Sequence, residues 1–455
     1  MTNIITRFAP SPTGHAHIGS YRTAIFSYLF AKHNGGKFLL RIEDTDKERS
    51  KLEYQEGIVE SLEWLGLAHD GFSVQSNNVE SHKKALLQLI AEDRAYVSKE
   101  EAKDGSGVIK EIVRFRNPNK VVTFTDLILG DISEDTTGLG DFVIARNIND
   151  PLFHLAVVVD DNESGVTHVI RGMDHISNTP RQVLLLEALG KAIPQYAHIP
   201  LVLGEDKQKL SKRKGALSML EYEKKGYLPQ AMINAAAFIG FNPGGEKEIY
   251  TVEELIDAFD ISKIQKGGAV FNPVKLDWFN QEHMKLLSED AYVSHVTKYV
   301  PSSVIEKVTA DKLRKIVLVA RDRLAYAGEL ATMDTDPSYV YMHTSPYENG
   351  ENAAQLLLVP EKMRKGTEVT QESTKNILQE VSALIETMSE DDFASAENVK
   401  TKLWAYAEEK GRGIVLWPLR ISLTLQEKSI DPFSMIYILG KEESLARIQS
   451  AVSQL

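Results

Sequence analysis

Apolar positions in the first half of the chain switch between two periods. Ile4–Phe8 alternates as a strand does, whereas Tyr21, Ala24, Ile25, Tyr28 and Leu29 fall at the i, i+3, i+4, i+7, i+8 spacing of an amphipathic helix. Asn34-Gly35-Gly36 stops that helix, and Phe38–Ile42 resumes as a second strand. Ile58, Leu62 and Leu65 mark another helix, and the pattern predicts buried strands at Phe142–Ala145, His154–Val159, Thr167–Ile170 and Ile199–Leu203. Strands that alternate with helices build a parallel sheet. From Ser98 to Thr137 the pattern is polar, with short β-prone pieces such as Val121-Val122-Thr123-Phe124, which predicts a small domain inserted between the two halves of the sheet.

After Gly226 the spacing turns helical. Pro229 suits a first helical turn, and Thr251 with Glu254 reads as a capping box. Leu403, Tyr406 and Ala407, then Leu439 and Leu445–Ile448, line helical faces toward the C-terminus, while Glu390-Asp391-Asp392 reads as a solvated face. The expected fold is an α/β Rossmann-like domain in residues 1–96 and 138–226 with a small α+β insert at 97–137. A helical domain at 227–300 and an all-α region at 301–455 follow.

Composition narrows this picture. A chain of 455 residues exceeds one ordinary domain, and 43% hydrophobic with 25% charged residues allows a sizeable core. With no cysteine, disulfides and thiolate metal sites are excluded, so zinc would depend on His and carboxylates and is not expected. Met1–Phe8 lacks an apolar leader and no stretch nears the ~20 apolar residues of a membrane span, which predicts a cytoplasmic protein without a membrane partner. A net charge of −12 opposes a polyanionic partner unless cations cluster. They do: Lys207, Lys209, Lys212, Arg213 and Lys214 lie close together, with Lys362, Arg364, Lys365, Lys410 and Arg412 further on.

Two segments carry chemistry. Arg7-Phe8-Ala9-Pro10-Ser11-Pro12-Thr13-Gly14-His15-Ala16-His17-Ile18-Gly19-Ser20 runs from the first strand into its helix. In an open α/β sheet that is the carboxyl end of a strand, where the next helix offers free N–H groups to an anion. His17 adds a donor, and Gly14 and Gly19 give room for close backbone approach. Taken alone, the segment also reads as an ordinary turn with a hydrogen-bonded histidine. The second segment, Lys209-Leu210-Ser211-Lys212-Arg213-Lys214-Gly215, puts four cations on one loop, which suits either an exposed solvated turn or a polyanion.

As a pair they resemble the ATP motifs of the class I aminoacyl-tRNA synthetases: His17-Ile18-Gly19-Ser20 the HIGH motif, and Lys209-Leu210-Ser211-Lys212-Arg213 the KMSKS motif. Arg7 to Gly14, and Arg41-Ile42-Glu43-Asp44-Thr45-Asp46, narrow the likeness to the glutamyl/glutaminyl branch. His154 to Asp161, Thr167 to Gly172, Asp174 to Gln182 and Trp417-Pro418-Leu419-Arg420 extend it along nearly the whole chain. It is weakest from Val97 to Thr137, where family members usually carry a longer insert, some with a cysteine-rich zinc site. Glutaminyl members usually end in β-barrels, whereas this C-terminal half reads helical, which favours the glutamate subtype.

The resemblance implies that ATP, with magnesium, and L-glutamate yield glutamyl-adenylate and pyrophosphate, after which glutamate passes to the 3′ end of tRNA(Glu). It assigns catalysis to His17, Lys209 and Lys212, and ATP binding to Ser11, His17, Gly19, Asp174, Leu201, Val202 and Lys212. Glutamate falls to Arg7, Ala9, Ser11, Glu43, Phe153, Val157 and Arg171, with Arg7 on the side-chain carboxylate, Arg171 on the other carboxylate and Glu43 on the ammonium group. Phe153 stands where the family commonly has tyrosine. The family also implies a monomer whose helical region reads the anticodon; Trp404, Tyr406 and Trp417 are aromatics for stacking there, or core residues.

Overall fold

The computed structural model describes residues 4–101, 109–210, 217–347, 353–364 and 368–455. Two compact units divide the chain, Met1–His283 and Met284–Leu455.

In the first unit, β1 (Ile5–Phe8) leads into α1 (Ile18–His33) and β2 (Lys37–Ile42). α1 stops at the predicted place for a steric reason. Gly35 adopts φ +64°, and a Cβ on Gly36 would lie 2.2 Å from the Ile4 carbonyl oxygen. α2 (Leu52–Trp64) buries Ile58 and Leu62, and β3 (Gly71–Val74) and α3 (Val79–Ala91) follow. Next come β4 (Ala95–Glu101), β5 (Ile109–Phe115), β6 (Val121–Asp126), β7 (Gly130–Asp135), β8 (Phe142–Asn147) and β9 (Asp150–Pro151). Of these, β4, β5, β8 and β9 form an antiparallel sheet of their own, so the predicted strand at 142–145 exists but lies outside the parallel layer.

α4 (Phe153–Glu163), β10 (His168–Gly172), α5 (Thr179–Ala188) and β11 (Gln195–Ile199) complete the core. β1, β2 and β3 pair in parallel, as do β10 and β11, and β11 meets the β6–β7 hairpin through Tyr196 and Asp126. The two sheets adjoin at β1 and the start of β10, where the Thr167 N–H donates to the Ile5 carbonyl at 2.9 Å. From β1 the chain moves to one side, to β2 and β3; β10 and β11 lie on the other. The crevice at such a reversal, beyond the carboxyl ends of the strands, is where ligands bind.

One strand expectation is overturned. His154–Val159 belongs to helix α4, not to a strand. The run from Leu155 to Val159 is apolar throughout, and periodicity cannot separate a buried strand from a helix buried on most sides. α4 is such a helix: Leu155, Val158 and Val159 enter the main core while Val157 faces a cavity. Tertiary packing overrides the β preference of its valines. A second expectation shifts: β11 ends at Ile199, and β12 (Val202–Leu203) pairs instead with a distant strand. Between them Pro200 cannot donate to a ladder.

α6 (Met219–Lys224), α7 (Pro229–Ala237), α8 (Val252–Ala258), β13 (Ala269–Val270), which is the partner of β12, and α9 (Pro273–Leu286) follow. Pro229 opens α7, and the Thr251–Glu254 box forms, with the Glu254 N–H donating to Thr251 Oγ1 at 3.2 Å and the Thr251 N–H to Glu254 Oε2 at 2.9 Å.

The second unit is built of helices among its described residues, the longest being Gln371–Glu386, Ala396–Lys410, Arg412–Thr424 and Pro432–Val452. Leu403, Ala407, Leu439 and Ile448 are buried there as their spacing predicts. No described helix is long and apolar enough to cross a membrane.

Candidate active site

A cavity of about 440 Å³ opens at the crevice between β1 and β10. Arg7 is delivered by β1 and is buried, paired with Asp161 of α4. Ala9 to Ser20 then turns over the carboxyl ends of the strands, and Glu43 follows β2 with its N–H donating to the Pro10 carbonyl at 3.0 Å. Arg171 comes from the end of β10, Asp174 from the turn after it, Phe153 and Val157 from α4, and Leu201, Val202, Lys209 and Leu210 from the chain beyond β11. Of the residues assigned by resemblance, Pro12 and Ile18 do not line the cavity. Ser211, Lys212 and Arg213 lie outside the described residues.

Both sides of the undescribed stretch are nevertheless anchored, one to β12 and the other to the first motif. The Leu210 N–H donates to the Val202 carbonyl at 2.9 Å, and beyond the motif Ser218 bridges the backbone of His17. Ser218 also caps α6, where it accepts from the Glu221 N–H in a capping box.

His17 is the N-cap of α1. Its Nδ1 accepts from the Gly19 N–H at 3.0 Å, so a neutral imidazole carries its proton on Nε2 and is a donor. The ring needs Gly19, because a Cβ there would sit 2.8 Å from His17 Cε1. Lys209 reaches Asp174 at 2.6 Å. Burial pushes the Asp174 carboxyl up, but the hydrogen bond and charge of Lys209 hold it below the ordinary range.

Beneath the cavity lies a buried ion network that motif reading had not assigned. Arg41 Nη1 meets Asp161 at 2.7 Å and its Nη2 meets Glu43 at 3.0 Å, while Arg7 Nε shares the same Asp161 oxygen at 3.1 Å. Asp160 beside it accepts from Gln75 at 2.7 Å and Asn78 at 2.6 Å and pairs with His82 at 2.7 Å. Burial drives the Asp161 carboxyl up, yet the charges of Arg41 and Arg7 hold it down. For Glu43 burial prevails and its pKa is raised despite the same two arginines. Arg171 differs from Arg7: it forms no ion pair among the described residues, and burial lowers its pKa to about 10. Its neighbours are neutral, His198 at 3.1 Å and Thr179 at 2.8 Å.

The cavity thus presents two guanidiniums, a carboxylate, a histidine donor at a helix start and a Lys–Asp pair. Arg7, Glu43, Lys209 and Asp174 already have ionic partners within the protein, whereas Arg171 has none among the described residues, and a buried cation of that kind suits an anionic ligand. His175, which also lines the cavity, was missed by motif reading; burial and then Arg171 push its pKa down to about 4, so it stays neutral. Among described residues no three His, Asp or Glu side chains converge on a metal site.

Comparison with known proteins agrees with this geometry. A family model described as "tRNA synthetases class I (E and Q), catalytic domain" matches residues 3–105 and 98–278, and "Anticodon binding domain" matches 291–452. A glutamate–tRNA ligase of Aquifex aeolicus is 36% identical over 497 positions and covers all of both chains. One of Syntrophus aciditrophicus is 38% identical, covering 100% of this chain and 98% of that one. The crystal structure of a glutamate tRNA ligase from Elizabethkingia meningosepticum in complex with its amino acid superposes with a TM-score of 0.82 at 30% identity, covering 99% of each chain. The Aquifex alignment is longer than this chain of 455 residues, so that relative carries residues with no counterpart here. This chain, with its parallel-sheet catalytic domain and all-helical anticodon-binding domain, belongs to the glutamate–tRNA ligases of the class I aminoacyl-tRNA synthetases.

Proposed function

We propose that the cavity between β1 and β10 holds ATP and glutamate together. The observation that carries this is the convergence of His17, Lys209, Arg7, Arg171 and Glu43 on one crevice. The α-carboxylate of glutamate attacks the α-phosphorus of ATP and pyrophosphate leaves; the terminal ribose hydroxyl of tRNA(Glu) then attacks the acyl carbon and AMP leaves. Neither step needs a protein nucleophile, so catalysis rests on positioning and on stabilising negative charge. His17 donates through Nε2 to phosphate oxygens, and the N–H groups at the start of α1 add to it. Lys209 and Lys212 act on the departing pyrophosphate. Asp174, Leu201, Val202, Ser11 and Gly19 surround the nucleotide. Magnesium would come bound to the triphosphate and would offset part of its charge; among the described residues no three His, Asp or Glu side chains form a separate site for it.

Arg7 takes the side-chain carboxylate of glutamate, Arg171 the other carboxylate and Glu43 the ammonium, while Ala9, Ser11, Phe153 and Val157 shape the pocket. Phe153 offers no hydroxyl, so selection depends more heavily on Arg7. The helical unit engages the anticodon, the enzyme acts as a cytoplasmic monomer, and the insert at 97–137 is a shortened acceptor-binding region. The catalytic family match falls in two parts that meet and overlap at residues 98–105, near the start of this insert, which supports that last reading.

ATP–pyrophosphate exchange with glutamate, run with and without tRNA, tests the activation step. Losing one well-placed donor slows such a step by about a hundredfold or more, which is the effect expected of Lys212→Ala; exchange at the wild-type rate overturns the role of the second motif. Gly19→Ala is expected to slow exchange at least about tenfold with little change in thermal midpoint, because the new Cβ displaces the His17 ring. An unaltered rate in that variant removes His17 from the phosphate site.

A further inference from the structure

Arg171 is held in an unusual manner. Asp126, at the end of β6, is 2% exposed, and its Oδ1 accepts from the N–H groups of Ile128 and Leu129, both at 2.9 Å. Its Oδ2 accepts from the His198 backbone N–H at 2.9 Å and lies 2.7 Å from His198 Nδ1. A carboxylate that accepts from so many donors is ionised, so the His198 proton sits on Nδ1. Nε2 is left with a lone pair. That lone pair meets Arg171 Nε at 3.1 Å and Thr179 Oγ1 at 3.1 Å, while Arg171 Nη2 donates to Thr179 Oγ1 at 2.8 Å. His198 and Thr179 are fully buried.

We propose that Asp126, His198 and Thr179 are positioning residues for amino-acid selection: they lock one histidine tautomer, whose lone pair fixes one edge of the Arg171 guanidinium and turns the remaining edge to a substrate carboxylate. The inference rests on Arg171 as a carboxylate partner of glutamate. The choice of acceptors is consistent with this purpose. A neutral histidine and a hydroxyl orient the fork of Arg171 without placing a carboxylate directly on it. Burial keeps His198 below its ordinary pKa, against the pull of Asp126. The guanidinium carbon of Arg171 also lies 5.4 Å from the centre of the Tyr196 ring.

Asp126→Asn is the sharpest test. Its amide N–H₂ must face one of these donors; turned toward His198 it drives the proton to Nε2, as happens when the aspartate of an Asp–His pair becomes asparagine. Nε2–H then opposes Arg171 Nε–H. A lost hydrogen bond to a charged group predicts a rise in KM for glutamate of about ten- to a hundredfold, with KM for ATP near wild type. Nitrogen NMR of ¹⁵N-histidine-labelled enzyme should show the Nδ1 and Nε2 signals of His198 exchanged. His198→Leu should raise the glutamate KM likewise, and His198→Gln, whose Oε1 can take the place of Nε2, should recover most of it. A glutamate KM unchanged in Asp126→Asn, or KM values for glutamate and ATP rising together with a lowered thermal midpoint, overturns the proposal in favour of a structural role. Arg171→Gln is a separate arm: an unchanged glutamate KM there overturns the reading of Arg171, and the relay's purpose with it.

Discussion

Arg7→Gln is expected to lower kcat/KM for glutamate by about a hundredfold or more while leaving KM for ATP close to wild type. Truncating one partner of a buried, hydrogen-bonded charge pair costs about 2–5 kcal/mol, and each 1.36 kcal/mol is about tenfold in rate. The substitution does not orphan the network behind it, because Asp161 keeps Arg41 at 2.7 Å. The loss should therefore appear in substrate use and hardly at all in stability. Phe153 sharpens the expectation, since it offers no hydroxyl to take over part of the task. Steady-state aminoacylation with varied glutamate is the measurement; wild-type kinetics for glutamate would falsify the assignment of Arg7 to the side-chain carboxylate.

Arg41→Leu should do the reverse and strike stability first. The Arg41 guanidinium is 3% exposed and joins Asp161 and Glu43, with Asp160 at 3.8 Å. Removing the shared cation takes from buried Glu43 its ion-pair partner and leaves Asp161 with Arg7 alone, a loss of about 3–5 kcal/mol. For a unit of this size that corresponds to a fall in thermal midpoint on the order of 10 °C. Burial already raises the Glu43 carboxyl, and Arg41 is the largest opposing influence, so without it Glu43 protonates more readily and loses its hold on an ammonium group. Arg41→Lys keeps the charge but loses the fork, and should fall between the two. A melting curve for Arg41→Leu that overlays the wild type would show that the network contributes no net stability.

Local chemistry determined the elements whose cause lies within a few residues. The stop of α1 follows from glycine geometry at positions 35 and 36, the start of α8 from a side-chain cap three residues long, and the first motif from turn residues between a strand and a helix. The paired motifs likewise lie in contiguous segments, so a resemblance to a family could be read from them. His154–Val159 was not legible as a helix, because an all-apolar run has no polar face to reveal its period, and only packing against both the core and the cavity decides it. The supports of the two arginines were equally hidden. Asp126 and His198 are 72 positions apart, and Arg7 and Asp161 are 154 apart. No spacing rule joins residues that far separated along the chain. They meet because the sheet brings β6, β10 and β11 side by side and the fold carries Asp161 of α4 to Arg7 of β1, and once buried there each charge must find its partner across the fold, not along the sequence.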